Sequence, residues 1–224
     1  MEKTLEVRWF FKGFPSTTIE HWFKFECPGK LVNVEVRKDK YVIQPYNSWA
    51  RSLEPFANSL DAGSINFKLR NGSLELKLRQ QQLETYRFNC RQYSHFGRGN
   101  IEQWYKFSQQ ELKKLNFDPQ FNDIVLIGVE KKRQQKIERG VKSELTKLGL
   151  DSDRLTNCQR WWTIAFEMTQ NDGARRSLAH FKKVIEQACK TYPQSQLLAT
   201  NSYGYSSWLL KGDRTIFSQE NSSS

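Results

Sequence analysis

The sequence predicts an α+β fold in which an antiparallel barrel or tunnel is covered by helices. Three observations lead there: two strictly alternating runs that meet at Asn71-Gly72, further alternating runs whose charges fall two residues apart, and a few apolar stripes at helical spacing. The first is the most specific. Asn-Gly between alternating runs is the strongest local hairpin signal, because both turn residues tolerate positive φ. A two-residue turn pairs Arg70 with Ser73, Lys68 with Glu75 and Asn66 with Lys77. Ile65, Phe67, Leu69, Leu74, Leu76 and Leu78 then share one face, and Lys68, Arg70, Glu75, Lys77 and Arg79 share the other.

The other elements follow in chain order. Leu5, Val7 and Trp9 alternate with Thr4, Glu6 and Arg8 in a first strand. A short helix starts near Thr17, with Glu20 completing a capping box, and stops by Pro28. Val32, Val34 and Val36 mark a strand that runs through Arg37 and Asp39 to Tyr41. Strand-like segments cover Tyr86 to Tyr93 and Ile101 to Phe107, and Ser108 with Glu111 signals a further helix start. Ile124 to Val129 reads as a buried strand leading into EKKRQQK, whose Lys131 and Arg133 fit a strand or an exposed helix start equally. Ile137, Val141, Leu145 and Leu148 have helical spacing before Gly149. Arg160 to Thr169 alternates again, and Leu178, Phe181, Val184, Ile185 and Ala188 form the stripe of the longest helix. Covering helices are therefore expected near 17–26, 109–116, 136–148 and 175–191, within a single domain, 1–217, and a polar tail, 218–224.

Composition narrows the partner. With 35 basic and 24 acidic residues, net charge +11 and pI near 9.5, the chain favours an anion such as a phosphate ester or nucleic acid. Cys27, Cys90, Cys158 and Cys189 have neither zinc nor disulfide-framework spacing, which fits a cytoplasmic protein. No apolar run has the length of a membrane span, and MEKTLEVRWF has no signal-peptide core, so no membrane role is expected. His21, His95 and His180 read as surface histidines, and Trp161 and Trp162 as wall packing.

Nearly every expected strand carries charges two residues apart: Glu6 and Arg8, Arg37 and Asp39, Lys68 and Arg70, Glu75 with Lys77 and Arg79, Glu102 and Lys106, Lys131 and Arg133, and Glu167. A hairpin with one polar face is by itself compatible with a solvated sheet. Agreement among several strands points instead to closure with the charged sides inward, giving a lumen suited to a polyphosphate.

In these residues the chain resembles the CYTH or triphosphate tunnel metalloenzyme superfamily. Thr4-Leu5-Glu6-Val7-Arg8 is similar to its Glu-x-Glu-x-Lys strand, Asp39-Lys40-Tyr41 to Asp-x-Tyr, and Lys68-Leu69-Arg70 with Glu75-Leu76-Lys77 to its Arg-x-Arg and x-Lys strands. Lys131-Lys132-Arg133 resembles a later Lys-x-Arg, Ala165-Phe166-Glu167 a Glu-x-Glu, and Ser202-Tyr203 with Trp208, Leu209 and Leu210 the family ending. The nearest likeness is to an uncharacterised bacterial branch with a Trp-Trp-Thr strand and an Asn-Ser-Tyr-Gly-Tyr ending.

The resemblance implies catalytic Glu6 and Glu167, a triphosphate clamp of Arg8, Arg37, Lys68, Arg70, Lys77, Arg79, Lys131 and Arg133, and Mg2+ or Mn2+ held by Glu6, Glu167, Asp39 and Glu75. Thr4 and Ala165 stand where the family has the first acid of each pair, which leaves the metal site degenerate. The expected function is binding of a triphosphate-containing small molecule or inorganic polyphosphate, with metal-dependent triphosphate hydrolysis as its catalytic form. The alternatives are a non-catalytic anion-binding module and, less favoured, a basic nucleic-acid-binding protein.

Overall fold

In the computed structural model, the described residues are 1–43, 56, 63–90, 95–115, 117, 125–151, 160–170, 178–193 and 197–217. Eight strands dominate: β1 (Glu2–Lys12), β2 (Lys30–Ile43), β3 (Ile65–Arg70), β4 (Ser73–Cys90), β5 (His95–Phe107), β6 (Val125–Glu138), β7 (Val141–Asp151) and β8 (Arg160–Gln170). All pair antiparallel, and the sheet closes on itself in the order β1-β5-β4-β3-β2-β6-β7-β8. The helices are α1 (Thr17–His21), running into a π turn at Trp22–Glu26, α2 (Gln109–Lys114), α3 (Leu178–Cys189) and α4 (Tyr205–Phe217).

The β3–β4 hairpin has the expected register, from Arg70↔Ser73 to Ile65↔Leu78. Asn71 and Gly72 have φ of 49° and 76°, as a turn matched to strand twist requires. Along β1, Leu5, Val7, Trp9 and Phe11 point outward into a core with Ile19, Trp22 and Phe23 from the α1 segment and Phe181, Val184 and Ile185 from α3. Thr4, Glu6, Arg8 and Phe10 point inward, so β1 is buried on both faces. A second outer core joins Phe67, Leu76 and Leu78 to Leu112 of α2 and to Phe117. A third lies inside one end of the ring, where Phe10, Tyr41, Val129 and Leu148 meet Tyr205, Trp208 and Leu209 of α4. α4 thus fills that end.

Several boundaries depart from the sequence reading. Residues 136–148 are not a helix but the end of β6 and most of β7, joined by a turn in which Arg139 and Gly140 have φ of 49° and 80°. Spacing by four at Ile137, Val141 and Leu145 is also an even number of strand residues, and cross-strand pairing with β6 and β8 decides between the two. EKKRQQK continues β6 and is not a helix start. At α1 the cap is Ser16, whose Oγ accepts from the Ile19 amide at 3.3 Å, and not a Thr17–Glu20 box. The Ser108–Glu111 capping box forms, although α2 ends at Lys114. α3 ends at Cys189, with 175–177 outside the described residues. β4 is one long strand ending at Cys90, and 91–93, like the tail 218–224, lie outside the described residues. α4 was not foreseen as a helix.

Candidate polyanion site

The inward faces of these strands enclose a cavity of about 310 Å³. The cations lining it are Arg8, Arg37, Lys68, Arg70, Lys77, Lys106, Lys131, Arg133 and Lys142, nine in all among the described residues, against four carboxylates, Glu6, Glu75, Glu144 and Glu167. Tyr41, Tyr205, Asn66 and Gln135 complete the wall. Lys68, Arg70, Glu75 and Lys77 of the hairpin line this cavity, which is partly open to solvent. Arg79 does not line it; its guanidinium donates to Glu102 at 3.0 Å. Asp39 lies just behind the wall and is fully buried.

Register brings these groups together. Glu6 is the cross-strand partner of both Glu102 and Glu167, and Glu167 in turn opposes Lys142. Three neighbouring carboxylates would repel one another, and cations interleave with them. Lys77 Nζ donates to Glu6 at 2.6 Å and to Glu167 at 3.4 Å, and Lys106 Nζ donates to Glu167 at 2.5 Å. Burial alone would raise the Glu167 carboxyl, but Lys77 and Lys106 outweigh it and hold it well below the usual range. Glu102 goes the other way: burial pushes it up despite Arg79.

Glu144 organises the next layer. Its Oε1 accepts from Arg8 at 3.1 Å and Thr146 at 2.8 Å, and its Oε2 from Arg133 at 3.1 Å and Gln135 at 3.0 Å. Burial opposes its charge, yet Arg8 and Arg133 hold it far below the ordinary carboxylate range. Arg8 also donates to Glu6 at 3.1 Å and Thr163 at 3.0 Å. A third anchor is Asp39, which meets Lys131 at 3.0 Å, Arg70 at 3.1 Å and Arg37 at 3.4 Å.

The lining lysines respond in opposite directions: Glu167 and Glu6 outweigh burial and raise Lys77, whereas two others fall. Burial, with Arg70 beside it, pushes Lys68 down to about 8, although Glu75 lies at 2.7 Å. Lys131 is also pushed well below the usual lysine range by complete burial, despite Asp39. Its ammonium sits 3.8 Å above the Tyr205 ring, and the Arg8 guanidinium 4.7 Å from the same ring. The C-terminal segment that supplies Tyr205 is tied to the wall: the Tyr203 amide donates to Arg8 O at 3.2 Å, and Asn100 Nδ2 donates to Ser202 O at 2.7 Å. Tyr203 itself stacks on Phe10 and does not line the cavity.

Sequence reasoning passed over Glu144, Lys142 and Tyr205. The first two were hidden by the helical reading of 136–148, although Lys142, Glu144 and Thr146 alternate with Val141, Ser143 and Leu145. Tyr205 is the last residue of the Asn-Ser-Tyr-Gly-Tyr ending, but nothing nearby in sequence indicates that this segment folds back into the ring.

The resemblance implies Mg2+ or Mn2+, and the side chains test that directly. Both oxygens of Glu6 and of Glu167 are engaged by Lys or Arg, as is Glu75 by Lys68 and Arg70. Among the described residues no group of three His, Cys, Asp or Glu side chains is placed to hold an ion. These donors do not fit a hard divalent cation, which requires several free oxygen ligands.

No family model and no curated protein sequence matches the chain. Similar solved structures include a conserved hypothetical protein from Pyrococcus furiosus, at TM-score 0.40 and 12% identity over 83% of this chain and 90% of that one. A candidate adenylate cyclase from Bacillus halodurans gives TM-score 0.34 and 12% identity over 86% and 95%. A chain of the Schizosaccharomyces pombe Mediator head module gives 0.39 and 8% over 81% and 89%.

Proposed function

We propose that the ring is a tunnel-like anion site that binds a triphosphate-containing small molecule or inorganic polyphosphate. One observation supports the reading: nine cationic side chains against four carboxylates around one cavity. Asp39 and Glu35, outside the lining, pair with Arg37, Arg70, Lys131 and Arg133 and lower the surplus from five to three, which still favours an anion that carries several charges, each phosphate contributing about one to two. An anion among these groups would accept charge-assisted hydrogen bonds and offset the desolvation, and the cationic neighbours, that push Lys68 and Lys131 down. Arg8, Arg37, Lys68, Arg70, Lys77, Lys131 and Arg133 form the proposed clamp, with Lys106 and Lys142 added. Glu6 and Glu167 act in this reading by orienting Lys77 and Lys106.

The catalytic form, a Mg2+- or Mn2+-dependent triphosphatase using Glu6 and Glu167, asks those carboxylates to exchange their cations for metal. Their engagement with Lys77, Lys106 and Arg8 favours the non-catalytic binding module. Thermal unfolding with phosphate, pyrophosphate and triphosphate at matched ionic strength tests the binding reading, because at equal concentration a tighter ligand of the native state raises Tm more, with the logarithm of its affinity. Shifts should increase with the number of phosphates, and Lys77→Ala or Arg70→Ala should remove most of the difference. Equal shifts for all three and for sulfate would indicate binding to the outer surface, and a shift from nucleic acid alone would favour the nucleic-acid reading.

A further inference from the structure

A second cleft lies across the end of β1, apart from the lumen. Register assembles it. Phe11 and Lys12 oppose Trp162 and Trp161 of β8, while β5 leaves the other edge of β1 after Glu6 and the segment before α4 approaches it through the Trp9↔Ser202 bridge. Residues from 10–16, 161–162 and 201–203 thus surround a cavity of about 510 Å³, within the usual size of small-molecule sites. It shares no lining residue with the lumen. Phe10 lines the cleft and packs edge-on, at 5.3 Å between centroids, against Tyr205, which lines the lumen.

Six of the nine described residues that line the cleft are aromatic, and they are graded in exposure. Phe10, Phe11 and Trp162 are buried, Trp161 and Tyr203 are half-buried, and Phe14 is 67% exposed. The rings hold one another in place. Phe11 stacks on Trp162 at 4.2 Å, Phe10 on Tyr203 at 5.2 Å with planes 5° apart, and Trp161 meets Trp208 edge-on at 6.0 Å. Rings fixed in this way offer their free faces to a ligand at little cost in ordering. The charged member of the lining is Lys12, whose Nζ lies 5.6 Å from the Trp161 centroid, and no carboxylate among the described residues lines the cleft. Asn201 adds an amide, whereas the Ser16 hydroxyl is already engaged in capping α1.

We propose that this cleft binds a planar aromatic compound bearing an acidic group, its ring among Trp161, Tyr203 and Phe14 and its anion at Lys12. The ring follows from the lining, because aromatic side chains favour offset-stacked and edge-on partners, and a side chain as open as Phe14 gains by being covered. The acid follows from charge, since a cation with no facing carboxylate favours an anion. An extended peptide fits less well, because its backbone amides would find few polar partners in such a wall. Nothing in the lumen enters this site, so it stands whether or not the ring holds a polyphosphate.

Titration calorimetry of the whole chain with naphthalene-2-sulfonate, and with its uncharged isostere naphthalene-2-sulfonamide, tests the site. The sulfonate should bind more tightly than the sulfonamide. Phe14→Ala should weaken both by about fivefold, the loss expected of an aromatic contact. Lys12→Met should weaken the sulfonate alone, by about threefold, as for an exposed ion pair. Both positions are exposed, so Tm should not change. Phe25→Ala, at a 63% exposed aromatic outside the cleft, should leave both affinities intact, and excess inorganic triphosphate should not displace the sulfonate. No binding at millimolar sulfonate would overturn the proposal, as would binding that Phe14→Ala leaves unchanged or that Phe25→Ala weakens equally. Displacement by triphosphate would put the compound in the lumen instead, and equal affinity for sulfonate and sulfonamide would remove the acidic group from the ligand.

Discussion

Glu144→Gln should destabilise the protein and tighten polyphosphate binding at once. The carboxylate accepts four hydrogen bonds, from Arg8, Thr146, Arg133 and Gln135, and is 7% exposed. A glutamine of the same shape keeps one oxygen and turns an NH2 toward two donors. Losing two such bonds, one of them to a guanidinium, costs about 3 kcal/mol, within the range for breaking a buried ion pair. At about 2–4 °C per kcal/mol for a chain of this size, Tm should fall by roughly 6–12 °C. The same change removes one of four negative charges facing nine positive ones. A unit charge about 8 Å from a phosphate at an effective dielectric of about 20 is worth roughly 2 kcal/mol before screening. Triphosphate affinity measured by titration calorimetry at low salt should therefore rise about fivefold to thirtyfold, and part of the gain should vanish at high salt. A lower Tm with unchanged or weaker triphosphate affinity would refute the placement of the anion beside Arg8 and Arg133.

Lys68 gives a pH signature: its proton is held more weakly in the fold, down to about 8, than in the unfolded chain, so its destabilising effect is full below that pH and fades as pH rises toward the ordinary lysine value. Stability should accordingly gain between pH 8 and 10 relative to Lys68→Met, while triphosphate binding in that window should take up a proton, read calorimetrically in buffers of different ionisation enthalpy; no buffer dependence would exclude Lys68 from the anion contact. Gly99→Ala should destabilise by about 1–3 kcal/mol, because a Cβ there would stand 2.4 Å from the Trp9 ring and 2.7 Å from Val7, both buried, and an unchanged urea midpoint would contradict that packing. Arg139→Gly should stabilise by about 0.5–1 kcal/mol by relieving a φ of 49° in the β6–β7 turn, and loss of stability would mean that the Arg139 side chain contributes more than its backbone costs.

What was legible in the sequence was local. Asn71-Gly72 set a turn and, through it, the register of twelve paired residues, because a two-residue hairpin leaves no freedom to slip without inverting both faces. Ser108 and Glu111 specified a helix start by bonds three residues apart. Charges two residues apart marked the inward side of most strands. The stretch from Ile137 to Leu148 was illegible, since spacing by four fits either period, and only the neighbouring strands on both sides make it β.

The sequence by itself determined that cationic strands exist and which of their residues share a face, because alternation is a property of the backbone of each strand. The tertiary structure decided that those faces point inward, by closing β1 onto both β5 and β8 and covering the outside with α1, α2 and α3. It also decided that Glu144 of β7, together with Thr163 of β8, holds Arg8, that Tyr205 folds back to lie beneath Arg8 and Lys131, and that Val32, Val34 and Val36 face outward and exposed. Each depends on contacts between residues far apart in the chain, whose formation follows from ring closure and from the burial of apolar surface, neither of which has a signature in local periodicity.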